Sequence, residues 1–134
     1  MSSIEKIANR LVALCREGKY EQAQKELYDD EALSLEPEGV PEGGLGDAEG
    51  LDAIIEKGRR FQSMVEAVHG GNVSDPVIAG NWFSIAMTLD VTFKGRGRVV
   101  MSEICLYRVN EIGKIDVEQF FYDVEGMEEE EMEE

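Results

Sequence analysis

The spacing of apolar residues changes once along this chain, at Gly70 and Gly71, and this change constrains the fold more than any other feature. Before it, apolar residues recur every three or four positions, as on the packed face of an amphipathic helix. After it, Val, Ile, Thr, Phe and Tyr alternate with polar residues, as in strands with one buried face. Helices followed by strands predict an α+β fold in which three helices cover one face of a curved antiparallel meander sheet.

The predicted elements follow from the same pattern. The helices are three amphipathic segments: residues 4–15, 20–27 and 51–68. The meander has four strands joined by short turns: residues 73–79, 81–94, 98–109 and 114–124. Asp29 and Asp30 are typical of a turn after the second helix, and a short strand over 32–36 is closed by Pro37.

The acidity of the chain limits its partners. It has 29 acidic and 13 basic residues among 134, a formal net charge of -16, and seven of the ten residues in 125–134 are glutamate. Such a surface repels phosphate backbones and anionic lipids, so we expect no nucleic acid and no membrane partner, and a neutral or cationic ligand is favoured.

We expect one domain over 1–124 and a disordered tail over 125–134. The N-terminus lacks the apolar centre of a signal peptide, so we expect a cytoplasmic protein.

Few residues suit a disulfide or a metal. Cys15 and Cys105 lie in apolar segments, which favours two buried free thiols over a disulfide. His69, the only histidine, follows the predicted third helix, where a cation suits the helix C-terminus; the alternative is a proton partner at the rim of a site. The chain has no HExxH motif and no paired-cysteine spacing, so we expect no cofactor and no metal. An ion held by carboxylates remains an alternative.

Two stretches of sequence carry a family resemblance. One is LYDDEA at 27–32 leading to Glu36, and the other runs from YRV at 107–109 through GKI at 113–115 to EQFFYD at 118–123. With the order of elements, they make the chain resemble the nuclear transport factor 2-like (NTF2-like) superfamily, and within it the SnoaL-like and ketosteroid isomerase-like proteins. The resemblance implies a cone-shaped α+β fold. It leaves the activity open, because the superfamily contains isomerases, cyclases, epoxide hydrolases, dehydratases and transport factors.

The resemblance also implies site residues. In ketosteroid isomerases a carboxylate before a proline on the first strand removes a proton next to a carbonyl, and Glu36 matches that position. Their two oxyanion donors correspond to Leu11, or a neighbour of it, and to Cys105 here, so steroid isomerisation is not expected. In limonene epoxide hydrolase-like proteins an aspartate on the last strand matches Asp123. Residues 81–93 lack the accompanying arginine, so epoxide hydrolysis is not expected either.

Alternation along the strands predicts a pocket rich in carboxyls. If Cys105 faces inward, as the resemblance implies, Glu103 and Tyr107 do so as well, and matching parity adds residues of neighbouring strands. The four carboxyls expected to share a cavity are Glu36, Asp90, Glu103 and Glu118. The other candidate pocket residues are Trp82, Met87, Cys105, Phe120, Tyr122, Asp123 and His69. Like charges in such a site raise the pKa of at least one carboxyl. A β-bulge would shift the parity and send Asp90 or Glu103 to the outer face.

These residues predict a pocket protein that acts on a small hydrophobic molecule. Glu36 is the expected proton acceptor, and isomerisation, dehydration or cyclisation would suit such a group. The other candidate catalytic residues are Glu103, Tyr107 and Glu118. The alternative is a noncatalytic module that binds a small ligand or acts as a dimeric scaffold. Because apolar residues occupy both faces of the predicted strands, we expect a homodimer through the sheet.

Overall fold

A computed structural model describes residues 3–40 and 45–123, arranged as helices and one sheet. The helices are α1 (Ser3–Arg16), α2 (Tyr20–Leu27) and α3 (Leu51–Met64). The strands are β1 (Tyr28–Leu35), β2 (Ala48–Glu49), β3 (Val65–Val73), β4 (Val77–Ala79), β5 (Trp82–Phe93), β6 (Gly97–Val109) and β7 (Ile115–Phe121). The predicted α+β fold is confirmed. The predicted tail over 125–134 lies outside the described residues.

The sheet has the strand order β2-β1-β7-β6-β5-β3, with β4 also pairing with β5. The strands β4 to β7 pair in antiparallel fashion, as the predicted meander requires. The first strand departs from this pattern, because β1 runs parallel to β7 and the sheet is therefore mixed. This pairing places the first and last strands side by side, with only the two-residue β2 beyond β1.

The third helix ends earlier than its spacing predicted. α3 stops at Met64, where Val65 is extended, and the segment 65–73 becomes β3, antiparallel to β5. Val65 and Val68 have a helical spacing, but their β-branched side chains also suit a strand, and hydrogen bonding to the edge of β5 decides between the two structures. Gly71 permits the pairing, since a Cβ atom there would lie 2.9 Å from the Thr88 carbonyl oxygen.

The first strand begins earlier than predicted, at Tyr28, directly after α2. The turn expected at Asp29 and Asp30 is instead an irregularity in the pairing of β1 with β7, between Tyr28 and Leu33. The Asp29 carboxylate accepts hydrogen bonds from the backbone N–H of Glu31, at 2.9 Å, and from the side chain of Asn110, at 2.9 Å. The local hydrogen bonding typical of aspartate is thus accommodated inside a strand as a bulge.

The core lies between the helices and one face of the sheet. Leu11 and Leu14 of α1 are buried there, as are Phe83 and Tyr107, whose stacked rings have centroids 4.9 Å apart. Cys15 and Cys105 are buried free thiols, as predicted. No helix within the described ranges is long and apolar enough to cross a membrane.

Candidate functional site

Five polar side chains gather where β1, α3, β6 and β7 meet, and we call them the Glu36 cluster: Glu36, Lys57, Glu103, Glu118 and Tyr122. Strand register explains the arrangement. Glu118 pairs with Tyr107 of β6 and with Ser34 of β1, so all three occupy the face that the helices cover. Glu36 and Tyr122 follow directly at the ends of β1 and β7.

The Glu36 carboxylate is nearly enclosed, with a side chain 9% exposed. Its Oε1 accepts a hydrogen bond of 3.0 Å from the Tyr122 hydroxyl. Its Oε2 is buried and accepts no hydrogen bond from the residues at 3–40 and 45–123; the Lys57 Nζ lies 3.6 Å away. Burial raises the pKa of Glu36, and the nearby Lys57 ammonium and the Tyr122 hydrogen bond offset only part of that rise.

Lys57 is the cation of the cluster, and our sequence analysis missed it. Its side chain, 10% exposed, projects from α3 and donates hydrogen bonds to the Ser34 Oγ at 2.6 Å and to the Gly46 carbonyl at 3.2 Å. The Nζ also lies 5.5 Å from the centre of the Phe120 ring. A sequence signal existed, because Lys57 stands three positions after the buried Ile54, on the apolar stripe of α3.

Glu118 is the most deeply buried carboxyl of the cluster. The Tyr28 hydroxyl donates a hydrogen bond to its Oε1, and the Ser34 hydroxyl is a second partner. Burial raises the pKa of Glu118. Ser34 thus links this carboxyl to the Lys57 ammonium, forming a continuous buried network from β7 through β1 to α3.

Glu103 titrates near neutrality. Its half-buried carboxyl accepts a hydrogen bond from the Cys105 thiol, at 3.5 Å between Sγ and Oε1. Burial raises the pKa of Glu103 to about 7, with a further contribution from the negative charges of Glu36 and Glu118. A carboxyl with such a pKa can donate or accept a proton at physiological pH.

Two of the predicted pocket residues lie on the other face of the sheet. The register of β5 with β6 pairs Met87 with Glu103, so odd-numbered residues of both strands face the helices. Asp90 has an even number and faces the other way, so the inward orientation predicted for it was wrong. Asp90 forms a bidentate ion pair with the Arg98 guanidinium, at 2.9 and 2.8 Å, which lowers the pKa of the carboxyl. Trp82 shares that outer face, where the Arg108 guanidinium lies 5.8 Å from the centre of its ring.

The remaining candidates divide between the inner face and the surface. Four lie on the inner face, in the core or against it: Met87, Cys105, Tyr107 and Phe120. His69 does not cap a helix: it is exposed on β3, with its Nε2 2.6 Å from the Thr92 Oγ1, at the edge of the sheet far from β1. Asp123 is exposed after the end of β7.

The described residues show no metal site at the Glu36 cluster. Within residues 3–40 and 45–123, no three His, Cys, Asp or Glu side chains are arranged to hold a metal ion. An open depression with a volume of about 640 Å³ lies elsewhere, and it shares no residue with the cluster. Its lining residues are Glu5, Asn9, Asp75, Pro76 and Ile78. A ligand cavity at the Glu36 cluster therefore stays a prediction.

Two solved structures with low sequence identity share the fold of this chain. An NTF2-like protein of unknown function from Burkholderia pseudomallei has 16% identity and a TM-score of 0.78, with 95% of each chain covered. TerC, co-crystallised with polyporic acid, has 16% identity and a TM-score of 0.76, with 96% of this chain and 97% of its own covered. These two comparisons establish the NTF2-like fold.

Closer relatives identify the family. A Mesorhizobium loti protein, provisionally described as a SnoaL-like polyketide cyclase, is 34% identical to this chain. The match covers 91% of this chain and 100% of that protein, with a TM-score of 0.81. A comparison of this sequence with curated proteins found no match. The family model of the SnoaL-like domain matches residues 2–122, nearly the whole chain, and the chain therefore belongs to the SnoaL-like domain family.

Proposed function

We propose that this protein catalyses proton transfer on a small hydrophobic molecule, with Glu36 as the proton acceptor. The observation that carries the proposal is the buried Glu36 Oε2, which accepts no hydrogen bond from the described residues. A buried carboxylate oxygen without a hydrogen-bonded partner is costly in a protein and is ready to accept a proton from a bound molecule. Tyr122 holds the other oxygen and so fixes the direction in which the Oε2 points.

Glu103 is the second group that the reaction needs. With a pKa of about 7, it is partly protonated at neutral pH and can return a proton to the ligand after Glu36 has accepted one. Isomerisation next to a carbonyl consists of such a paired transfer; dehydration adds the loss of a protonated hydroxyl as water, and cyclisation adds a carbon–carbon bond formed by the enolate. Glu118 and Tyr107 are too deeply buried for direct transfer, and we assign them the role of supporting the site.

The test is exchange of carbon-bound hydrogen for deuterium. A panel of small ketones and β-dicarbonyl compounds in D₂O is followed by NMR with the wild-type protein, with Glu36→Gln, and with Glu38→Gln as a control that removes an exposed carboxylate two residues away. We expect exchange with the wild type and with the control, and at least a hundredfold slower exchange with Glu36→Gln. Equal rates for the wild type and Glu36→Gln would contradict the proposal. Binding without any exchange would support the alternative, a noncatalytic ligand-binding module.

We also propose that the protein works as a homodimer in which a second copy covers the outer face of the sheet. Val100 and Ile104 of β6 expose 61% and 47% of their surface there, beside exposed Phe121 on β7 and Trp82 on β5. Exposed large apolar side chains on one sheet face, here interspersed with polar groups such as the Asp90–Arg98 ion pair, are typical of an interface. The free thiols suit a cytoplasmic location, and the net charge of -16 favours neither nucleic acid nor membrane as a partner.

A further inference from the structure

Lys57 and Glu36 form an ion pair inside the Glu36 cluster, and among the described residues each of them keeps one hydrogen-bonding position without a partner. An ammonium group carries three N–H donors, and Lys57 uses two of them, on Ser34 and on Gly46. The Glu36 Oε2 lies 3.6 Å from the same Nζ, which is beyond hydrogen-bond distance. Among the described residues the two groups therefore form an ion pair that lacks a direct hydrogen bond.

A hydroxyl group is the ligand that satisfies both, because it donates one hydrogen bond and accepts another. We propose that the site binds its ligand through an acidic hydroxyl, that of an enol or a phenol, which donates to the Glu36 Oε2 and accepts from the Lys57 Nζ. Transfer of the hydroxyl proton to Glu36 leaves the electron pair on the ligand oxygen. The products are a neutral carboxylic acid and an oxyanion that is paired with the lysine ammonium.

This assignment deepens the proposed function and rests on it. Abstraction of a proton next to a carbonyl by Glu36 produces the same oxyanion, an enolate, beside the same lysine. The residues at the usual oxyanion positions, Leu11 and Cys105, are not suited to stabilise it, and Lys57 supplies a full positive charge instead. Burial of both groups strengthens the attraction, because little water screens it. The Phe120 ring beside Nζ provides an apolar wall that suits an aromatic or unsaturated ligand.

The probe for this proposal is para-nitrophenol, whose absorption spectrum distinguishes the phenol from the phenolate. Titrations are made about one pH unit below the solution pKa of the probe, with the wild type, Lys57→Met, Lys57→Arg and Glu36→Gln. Lys25→Met is the matched control, since that lysine is exposed on α2. We expect the wild type and the control to bind the probe with a rise of the phenolate band. Lys57→Met should bind the phenolate about tenfold to a hundredfold more weakly, the usual effect of losing a charged hydrogen bond.

The two other variants separate charge from shape. Lys57→Arg keeps the positive charge and should keep the phenolate band, and Glu36→Gln, which resembles the protonated acid, should bind phenolate at least as tightly as the wild type. If Lys57→Met fails to fold, the double variant Glu36→Gln/Lys57→Met, which removes both charges, is compared with Glu36→Gln alone, and the same loss is expected.

Failure of this proposal can be told apart from failure of the proposed function. If the probe does not bind to the wild type, or if the phenolate band is the same in Lys57→Met and Lys25→Met, Lys57 is not an oxyanion partner. The deuterium exchange assay then still decides the role of Glu36. If the phenolate binds at Lys57 but no compound exchanges its carbon-bound hydrogen, the binding proposal stands and the catalytic one falls.

Discussion

Because the pKa of Glu103 is raised to about 7, we expect the free energy of unfolding to change with pH up to neutrality. Its folded pKa of about 7 is higher than the ordinary value of 4.5, because the ionised carboxyl is poorly solvated in the cluster. A raised folded pKa contributes stability that is fully present below pH 4.5 and is lost as the pH rises through about 7. At about 1.4 kcal/mol per pKa unit, the difference corresponds to about 3.5 kcal/mol. This is an upper bound, since the half-buried side chain keeps some contact with water.

The variant Glu103→Gln removes this titration and keeps an oxygen that can accept the Cys105 hydrogen bond. The free energy of unfolding is measured by urea denaturation at a series of pH values from below 4.5 to above 7. We expect the variant and the wild type to converge at the acid end, and the variant to be more stable by up to about 3.5 kcal/mol at the alkaline end. Glu111→Gln, which removes one exposed charge, measures the effect of net charge alone. If the curves of wild type and Glu103→Gln stay parallel throughout, the carboxyl does not titrate near neutrality and our account of its burial is wrong.

Three further predictions concern other parts of the molecule. Glu36→Gln should raise the free energy of unfolding in urea at neutral pH and above, because burial raises the pKa of the carboxyl and its ionisation opposes folding. A lower free energy of unfolding would show that attraction by the Lys57 ammonium outweighs the cost of burial. Tyr28→Phe should lower the free energy of unfolding by about 1–3 kcal/mol, since Glu118 loses a hydrogen-bond donor in the core, and an unchanged urea midpoint would refute this. Ile104→Glu should convert the proposed dimer to a monomer in light scattering at micromolar concentration, whereas Ile112→Glu, in the turn before β7, should leave the mass unchanged. A monomeric wild type would refute the proposed dimer.

The order of the elements was predictable because it depends on patterns within single segments. The face occupied by Asp90 was predicted wrongly, although the predicted strands 81–94 and 98–109 already left three residues for the turn between them. Phe93 pairs with Gly97, so the turn of β5 into β6 contains three residues, 94–96. A turn with an odd number of residues pairs positions of equal parity. Two or four residues there would have placed Asp90 on the same face as Glu103, as we had expected.

The sequence predicted the carboxyls of the candidate site but not its lysine. Glu36, Glu103 and Glu118 were found from strand alternation and from the family resemblance. Lys57 was missed because a lysine on a helix is usually solvent-exposed, and only its position on the apolar stripe of α3 marked it as inward-facing. Its role depends on Ser34, a residue 23 positions earlier, and no local pattern predicts that contact.

The parallel pairing of β1 with β7 makes the Glu36 cluster a late product of folding. Glu36 and Tyr122 are 86 positions apart, and Tyr28 and Glu118 are 90 apart. Contacts between such distant positions close large loops and form slowly, so a chain still under synthesis holds Glu36 in water until the last strand has been made and has inserted beside the first. A partly folded chain that lacks β7 therefore leaves β1 paired only with the two-residue β2 and leaves the Glu36 carboxylate in water, so activity at Glu36 requires the last strand to be in place.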